Sequence, residues 1–296
     1  MIGRRQGLWG GVALALGGGG AARSAPASGG FAGLTAAFEQ IELARGGRLG
    51  VAVLDTGSGR RAGHRQDELF PLTSTFKLLA SAAILARVDA GQDSLQRRIR
   101  FSQSDLVTYS PVTETQVGGV GMTLEALCEA TMVTSDNTAG NLLLGVLGGP
   151  AGLTAYVRTL DDEVTRLDRW ETALNEARRG DPRDTTSPAA MLGNLRELTL
   201  GSALSATSRA QLTVWLRANR TGDRRLRAGL PPGWLAGEKT GAGENGTNND
   251  VGLLWPPAGA APVLVTAYLT EGVADGTVRD AALADVATAV AAAWSR

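Results

Sequence analysis

The amino-acid sequence predicts an α+β fold in which the two ends of the chain build a mixed lobe and an all-helical lobe is inserted between them. Three observations lead there. Strand patterns occur after a first helix and again toward the C-terminus; the stretch from Pro71 to about Arg220 is helical in pattern almost throughout; and an amphipathic helix closes the chain. With 296 residues, 43% of them hydrophobic, the chain can bury a substantial core. Its 29 basic and 29 acidic side chains cancel, which excludes a nucleic-acid binder relying on bulk positive charge and a disordered polyelectrolyte.

Taken in order, residues 1–27 read as an export signal that is cleaved. Arg4 and Arg5 precede an uncharged run over residues 6–22, and small residues surround Pro26. The run is short and glycine-rich for a membrane span, so the expectation is an exported chain, periplasmic or secreted, with no stable membrane anchor. The paired arginines fit a twin-arginine signal, but the Gln6-Gly7-Leu8 that follows fits it poorly. Phe31, Leu34, Phe38 and Ile41 then recur at helical spacing until Gly46-Gly47 stop the helix. Residues 49–53 alternate as a strand, and residues 55–59 supply turn chemistry. The helical stretch is broken at Gly118-Gly119, Gly148-Gly149-Pro150 and Gly180-Asp181-Pro182. Residues 234–241, 251–255 and 263–269 read as three strands, and Leu283, Val286, Val290 and Trp294 mark the closing helix. The mixed lobe is therefore expected over 28–66 and 217–296, and the helical lobe over 67–216, with a cleft at their junction.

A single cysteine, Cys128, permits no intramolecular disulfide, and with one histidine, His64, it leaves no metal-ligand set. No metal or cofactor is expected. Cys128 lies in the apolar stretch 124–132 and reads as a buried thiol; His64 matches no motif and reads as structural. The sharper signal lies within the basic residues, because only two, Lys77 and Lys239, are lysines. A lysine, unlike an arginine, can give up its proton when buried.

Both lysines fall in short polar motifs. Ser74-Thr75-Phe76-Lys77 opens an apolar helix, so Ser74 lies where free backbone N–H groups and the helix dipole can hold an oxyanion, and Lys77 lies one turn on within reach of its hydroxyl. By itself the spacing also fits an N-cap serine followed by an unrelated lysine. Thr134-Ser135-Asp136-Asn137 sets polar side chains on a turn between apolar segments, which also fits an ordinary cap for a helix from Thr138 onward. Lys239-Thr240-Gly241 ends a strand, where glycine lets a ligand lie against the edge; a plain strand end with a solvated lysine fits too.

In this order the three motifs resemble those of the penicillin-interacting serine enzymes, and more narrowly the class A serine β-lactamases. Arg169-Trp170-Glu171-Thr172-Ala173-Leu174-Asn175 is similar to that class's hydrolytic loop, and the likeness runs over nearly the whole chain beyond the signal. The resemblance implies a β-lactamase/D,D-peptidase-like fold: a five-stranded antiparallel sheet flanked by terminal helices, an inserted all-helical lobe, and an Ω loop over 166–184. It implies a β-lactam-hydrolysing monomer that takes a small-molecule substrate and confers resistance to penicillins and cephalosporins. Ser74 would be the nucleophile, with its own N–H and that of Ala242 as oxyanion hole. Lys77, or Glu171 through a water, would take the serine proton. Ser135 would pass a proton to the leaving nitrogen, Lys239 would supply positive charge, and Glu171 with Asn175 would activate the hydrolytic water. Tyr109, Asn137, Thr240, Gly241 and Thr247 would bind substrate, and Arg169 with Asp184 would tie the neck of the loop.

Three departures from the family pattern follow. Thr172 stands where relatives often carry proline. Asn248 stands where many carry a carboxylate-binding arginine, and Arg225, in the run Arg224, Arg225, Arg227, is the expected substitute, although that run also fits a solvated charged face. Thr73 and Gly243 occupy the positions bridged by a disulfide in serine carbapenemases of the class, so a dedicated carbapenemase is disfavoured. A cell-wall D,D-peptidase shares most of this machinery but lacks the loop carrying Glu171 and Asn175, and a penicillin-sensing receptor would ordinarily carry an anchor and signalling segments.

Overall fold

A computed structural model describes residues 30–295 of the chain. The signal segment expected at residues 1–27 lies outside the described residues. A 3₁₀ turn and helix α1 (Leu34–Arg45) lead into strands β1 (Arg48–Asp55) and β2 (Arg61–His64), and α1 ends at Gly46, whose φ of 75° is open to glycine. The middle of the chain holds α2 (Phe76–Asp89), α3 (Leu124–Val133), α4 (Asn137–Leu147), α5 (Gly149–Arg158), α6 (Pro188–Thr199) and α7 (Ala206–Arg217). Strands β7 (Leu235–Gly243), β8 (Thr247–Trp255) and β9 (Val263–Thr270) follow, and α8 (Gly276–Trp294) closes the fold.

The sheet is antiparallel in the order β2-β1-β9-β8-β7, so the first and last parts of the chain share one sheet. Alternate residues face opposite sides, and both sides are covered. Val51, Val53, Val263, Val265 and Leu269 pack with Phe38 of α1 and Leu283, Val286 and Val290 of α8. Ala52, Leu54, Leu253, Leu264 and Tyr268 face the helical lobe and join the core around α2. His64 is bonded to Glu42 of α1 at 2.8 Å, and Cys128 is a buried free thiol.

The structure differs from the sequence reading in two places. The middle stretch is not wholly helical: β3 (Phe70–Pro71) pairs with β6 (Thr185–Thr186), and β4 (Arg98–Ile99) pairs with β5 (Met122–Thr123). The first pair joins the segment that leads into α2 to the end of the segment expected to form the Ω loop. The second difference is that β8 begins at Thr247, not at residue 251. Thr247, Asn248, Asn249 and Asp250 are polar yet buried, because each finds a partner from another segment: Thr270, Asp280, Pro71 and the Leu226 N–H respectively.

Candidate active site

Ser74 sits in the 3₁₀ turn Thr73–Thr75 that runs directly into α2. Residues 76–85 of α2 are all buried, so the helix is a rigid central post for the serine. Thr73 is in the left-handed region at φ 44°, and Tyr109 (64°) and Ser135 (60°) share that unusual conformation around the cleft. Thr73 is held there by Asn249, whose Nδ2 donates to Thr73 Oγ1 at 3.0 Å and to Pro71 O at 2.8 Å. Gly241 on β7 completes the fit, since a Cβ at that position would stand 2.1 Å from Thr73 Oγ1. The strand and the Ser74 turn can approach this closely only with glycine there.

Lys77 is fully buried one turn beyond Ser74. Its Nζ lies 3.1 Å from Ser74 Oγ, 2.8 Å from Ser135 O, 2.5 Å from Asn137 Oδ1 and 3.0 Å from Glu171 Oε1. Burial lowers its pKa from the ordinary lysine value, while the Glu171 carboxylate pulls the other way. On the turn before α4 the capping and functional readings fall to different residues. Asp136 caps the helix by accepting from the Ala139 N–H and also ties Val112 and Thr113, whereas Ser135 and Asn137 turn toward Lys77. Ser135 Oγ lies between the two lysines, 3.4 Å from Lys77 Nζ and 3.1 Å from Lys239 Nζ.

Lys239 is also fully buried, and burial first, then Lys77 and Arg225, push its pKa well below the usual lysine range. The β7–β8 register explains its direction: Lys239 pairs with Val251 and faces the helical lobe, while Thr240 pairs with Asp250 and faces the other way.

Glu171 comes from the loop that β6 closes. Asn141 holds its backbone from both sides, donating to Glu171 O at 3.0 Å and accepting from Glu171 N at 2.9 Å. Its carboxylate touches Ser74 Oγ at 3.4 Å through Oε1 and accepts from Asn175 Nδ2 at 2.5 Å through Oε2. The other end of that amide, Asn175 Oδ1, is buried with no partner among the described residues. Beside a carboxylate, a bare acceptor of this kind is where a water would be held. At the neck, Arg169 Nε meets Asp184 Oδ2 at 2.5 Å and its Nη1 meets Glu176 Oε2 at 2.7 Å. The peptide between Glu171 and Thr172 is cis.

These residues surround a cavity of about 310 Å³ lined by Ser74, Tyr109, Ser135, Asn137, Thr240 and Ala242, with Gly241, Asn175, Thr221 and Arg225 completing it. Two larger hollows among the described residues, one beside residues 61–68 and one beside residues 230–236, hold none of these reactive groups. Tyr109 stands over the cavity, 56% exposed. Arg225 Nη1 donates to Gly241 O and Asn249 O at 2.7 and 2.8 Å, and its Nε pairs with Asp280 at 2.8 Å; Nη2 takes no protein partner among the described residues. Thr247 is a correction: it is fully buried, bonded to Thr270 at 2.8 Å, and does not line the cavity, because β9 claims its hydroxyl.

Sequence reasoning missed Thr221, whose hydroxyl bonds that of Thr240, and Asn141, Asn249 and Asp280. Only Asn141 carries a usable signal, lying four residues after Asn137 on one helix face. A serine hydroxyl and a cationic rim at one small cavity, backed by a buried amine and a carboxylate, can form and then hydrolyse an ester at Ser74.

A model of the "Beta-lactamase enzyme family" matches residues 33–294. β-Lactamase FAR-1 of Nocardia farcinica (strain IFM 10152) is 52% identical over 225 residues, covering 76% of this chain and 72% of the relative. β-Lactamase AST-1 of Nocardia asteroides is 49% identical over 253 residues, covering 86% and 81%. Among solved structures, an ancestral (GNCA) class A β-lactamase superposes with a TM-score of 0.85 at 60% identity, covering 87% of this chain and 98% of that one. A last common ancestor of Gram-negative bacteria (GNCA4) class A β-lactamase gives 0.86 at 59% identity, covering 88% and 99%.

Proposed function

The chain belongs to the class A serine β-lactamases, which hydrolyse β-lactams and so confer resistance, and from that premise we propose how its own residues divide the reaction. Ser74 Oγ attacks the lactam carbonyl, and the Lys77–Glu171 ion pair beside it receives its proton. The N–H groups of Ser74 and Ala242 stabilise the oxyanion. With its acceptor sites facing two lysines, Ser135 is left to direct its own proton into the cavity, toward the leaving nitrogen. Glu171 and Asn175 then hold and activate the water that releases the product. The observation that supports this division is the Glu171 carboxylate, whose Oε1 lies 3.4 Å from Ser74 Oγ while its Oε2 accepts from Asn175 Nδ2.

The substrate carboxylate is bound by Thr240 and by the free Nη2 of Arg225, while Asn137 and Tyr109 receive the side chain. Arg225→Ala is therefore expected to lower kcat/KM for penicillins and cephalosporins about 10–100-fold, the worth of a charge-assisted hydrogen bond. Steady-state kinetics check this, and an unchanged kcat/KM would remove Arg225 from the binding site.

Penicillins and cephalosporins are the preferred substrates over carbapenems. Thr73 and Gly243 sit against each other, with a Cβ on Gly243 standing 2.8 Å from Thr73 Cγ2, but they cannot form the disulfide of the carbapenem-hydrolysing relatives. In side-by-side kinetics, carbapenem turnover is expected to be the slowest of the three; a carbapenem preference would contradict this. The enzyme acts as an exported, periplasmic or secreted monomer, its signal removed after about residue 27. Among the described residues no single helix is long and apolar enough to cross a membrane. N-terminal sequencing of the protein from a periplasmic extract tests this, and an uncleaved cytoplasmic chain would overturn it.

A further inference from the structure

Behind the cleft, on the face of β7 and β8 that carries Thr240, lie two acidic side chains that the reaction above does not use. Glu238 and Asp250 are both fully buried. Glu238 pairs with Gly252 and Thr240 with Asp250, so the two acids are diagonal neighbours on one face of adjacent strands. Glu238 Oε1 accepts from Arg227 Nε at 3.0 Å, and Asp250 Oδ2 accepts from the Leu226 N–H at 3.2 Å. The remaining oxygens, Glu238 Oε2 and Asp250 Oδ1, are buried with no donor among the described residues. Packing around them is tight, since a Cβ on Gly222 would stand 1.9 Å from Glu238 Oε1. Two buried acceptors on diagonal neighbours, neither with a donor, would both be satisfied by a single proton between them.

We propose that Glu238 and Asp250 hold one shared proton and act as a positioning pair for Arg225, fastening the two residues that follow it and so fixing the guanidinium that meets the substrate carboxylate. The proposal rests on the carboxylate role given to Arg225 above. The charged groups around the pair are Arg227 and Asp223 beside it, Arg225 and Lys239 near Asp250, and Asp280 of α8, reached through Arg225. Burial, then the charge of Glu238, pushes the Asp250 carboxyl well above the usual carboxylate range; burial also raises Glu238, against the pull of Arg227. A raised acid keeps in the folded state a proton that the unfolded chain releases. The resulting stability is full below the ordinary carboxylate range and is lost as pH rises through the pair's own titration.

Infrared difference spectra of the wild type against Asp250→Asn test the proton directly. A protonated-carboxyl band is expected at neutral pH in the wild type and not in the variant, whose amide can donate to Glu238 instead. In kinetics, Asp250→Ala is expected to raise KM about tenfold for a β-lactam bearing its carboxylate but not for the ester of the same compound. Asp250→Asn should restore KM to within about threefold. Absence of the band in the wild type, or an equal KM increase for acid and ester, overturns the proposal. If Arg225→Ala leaves KM for the acid unchanged, the carboxylate reading itself fails and the positioning role with it, while the infrared band still decides the shared proton. If Asp250→Ala does not fold, the spectra and the Asn variant decide.

Discussion

Glu171→Gln is expected to be acylated by a cephalosporin and then to stall, with an acyl-enzyme on Ser74 that persists for far longer than a wild-type turnover. The amide keeps the shape of the carboxylate and can still accept from Lys77, but it cannot take a proton from water. Loss of a positioned general base costs about 10²–10⁴ in rate, and here it falls on the deacylation step. The backbone of Glu171 is clamped by Asn141 on both its N–H and its C=O, so the substitution should leave the loop in place. Intact-protein mass spectrometry, with the adduct mapped to the peptide containing Ser74, checks this. No adduct together with unimpaired hydrolysis would mean that another group activates the water.

The second large effect concerns the neck of the same loop. Asp184 is 1% exposed; its Oδ1 accepts the N–H groups of Asp168 and Arg169 at 2.8 and 2.9 Å, and its Oδ2 meets the Arg169 guanidinium. Asp184→Ala leaves two backbone donors and a largely buried cation without their acceptor. The expected cost is about 3–5 kcal/mol, as for one partner of a buried ion pair, whereas an exposed pair would cost about 0–1 kcal/mol. Arg169 is partly compensated by Glu176, which places the expectation at the lower end of that range. Urea denaturation measures it, and a loss of less than about 1 kcal/mol would show that the loop is not held at this point.

Much of the site was legible in the sequence because its chemistry is local. Ser74 and Lys77 meet across one helical turn, and Ser135 and Asn137 flank one cap, so their spacing along the chain already expresses their geometry. The helices and the three C-terminal strands followed from periodicity for the same reason. What stayed hidden depends on partners far away in sequence. The first half of β8 reads as a polar loop because nothing local reveals that Asn248, Asn249 and Asp250 are each bonded to another segment. Thr247 was assigned to substrate by resemblance, but its hydroxyl belongs to Thr270, a strand partner no motif displays. Asn249, Asp280 and Glu238 were overlooked because a buried polar side chain and a solvated one look alike in sequence. Arg225 is the intermediate case: the missing arginine at Asn248 pointed to it, and only the structure shows the carbonyls and the carboxylate that hold it in the cleft.

The central claim is an acyl-enzyme at Ser74 that this chain can hydrolyse, and the most direct test counts turnovers of a chromogenic cephalosporin by the purified wild type and by Ser74→Ala. Many turnovers per wild-type molecule, and none above background for the variant, are predicted. A single stoichiometric burst from the wild type, or sustained hydrolysis by Ser74→Ala, would contradict it.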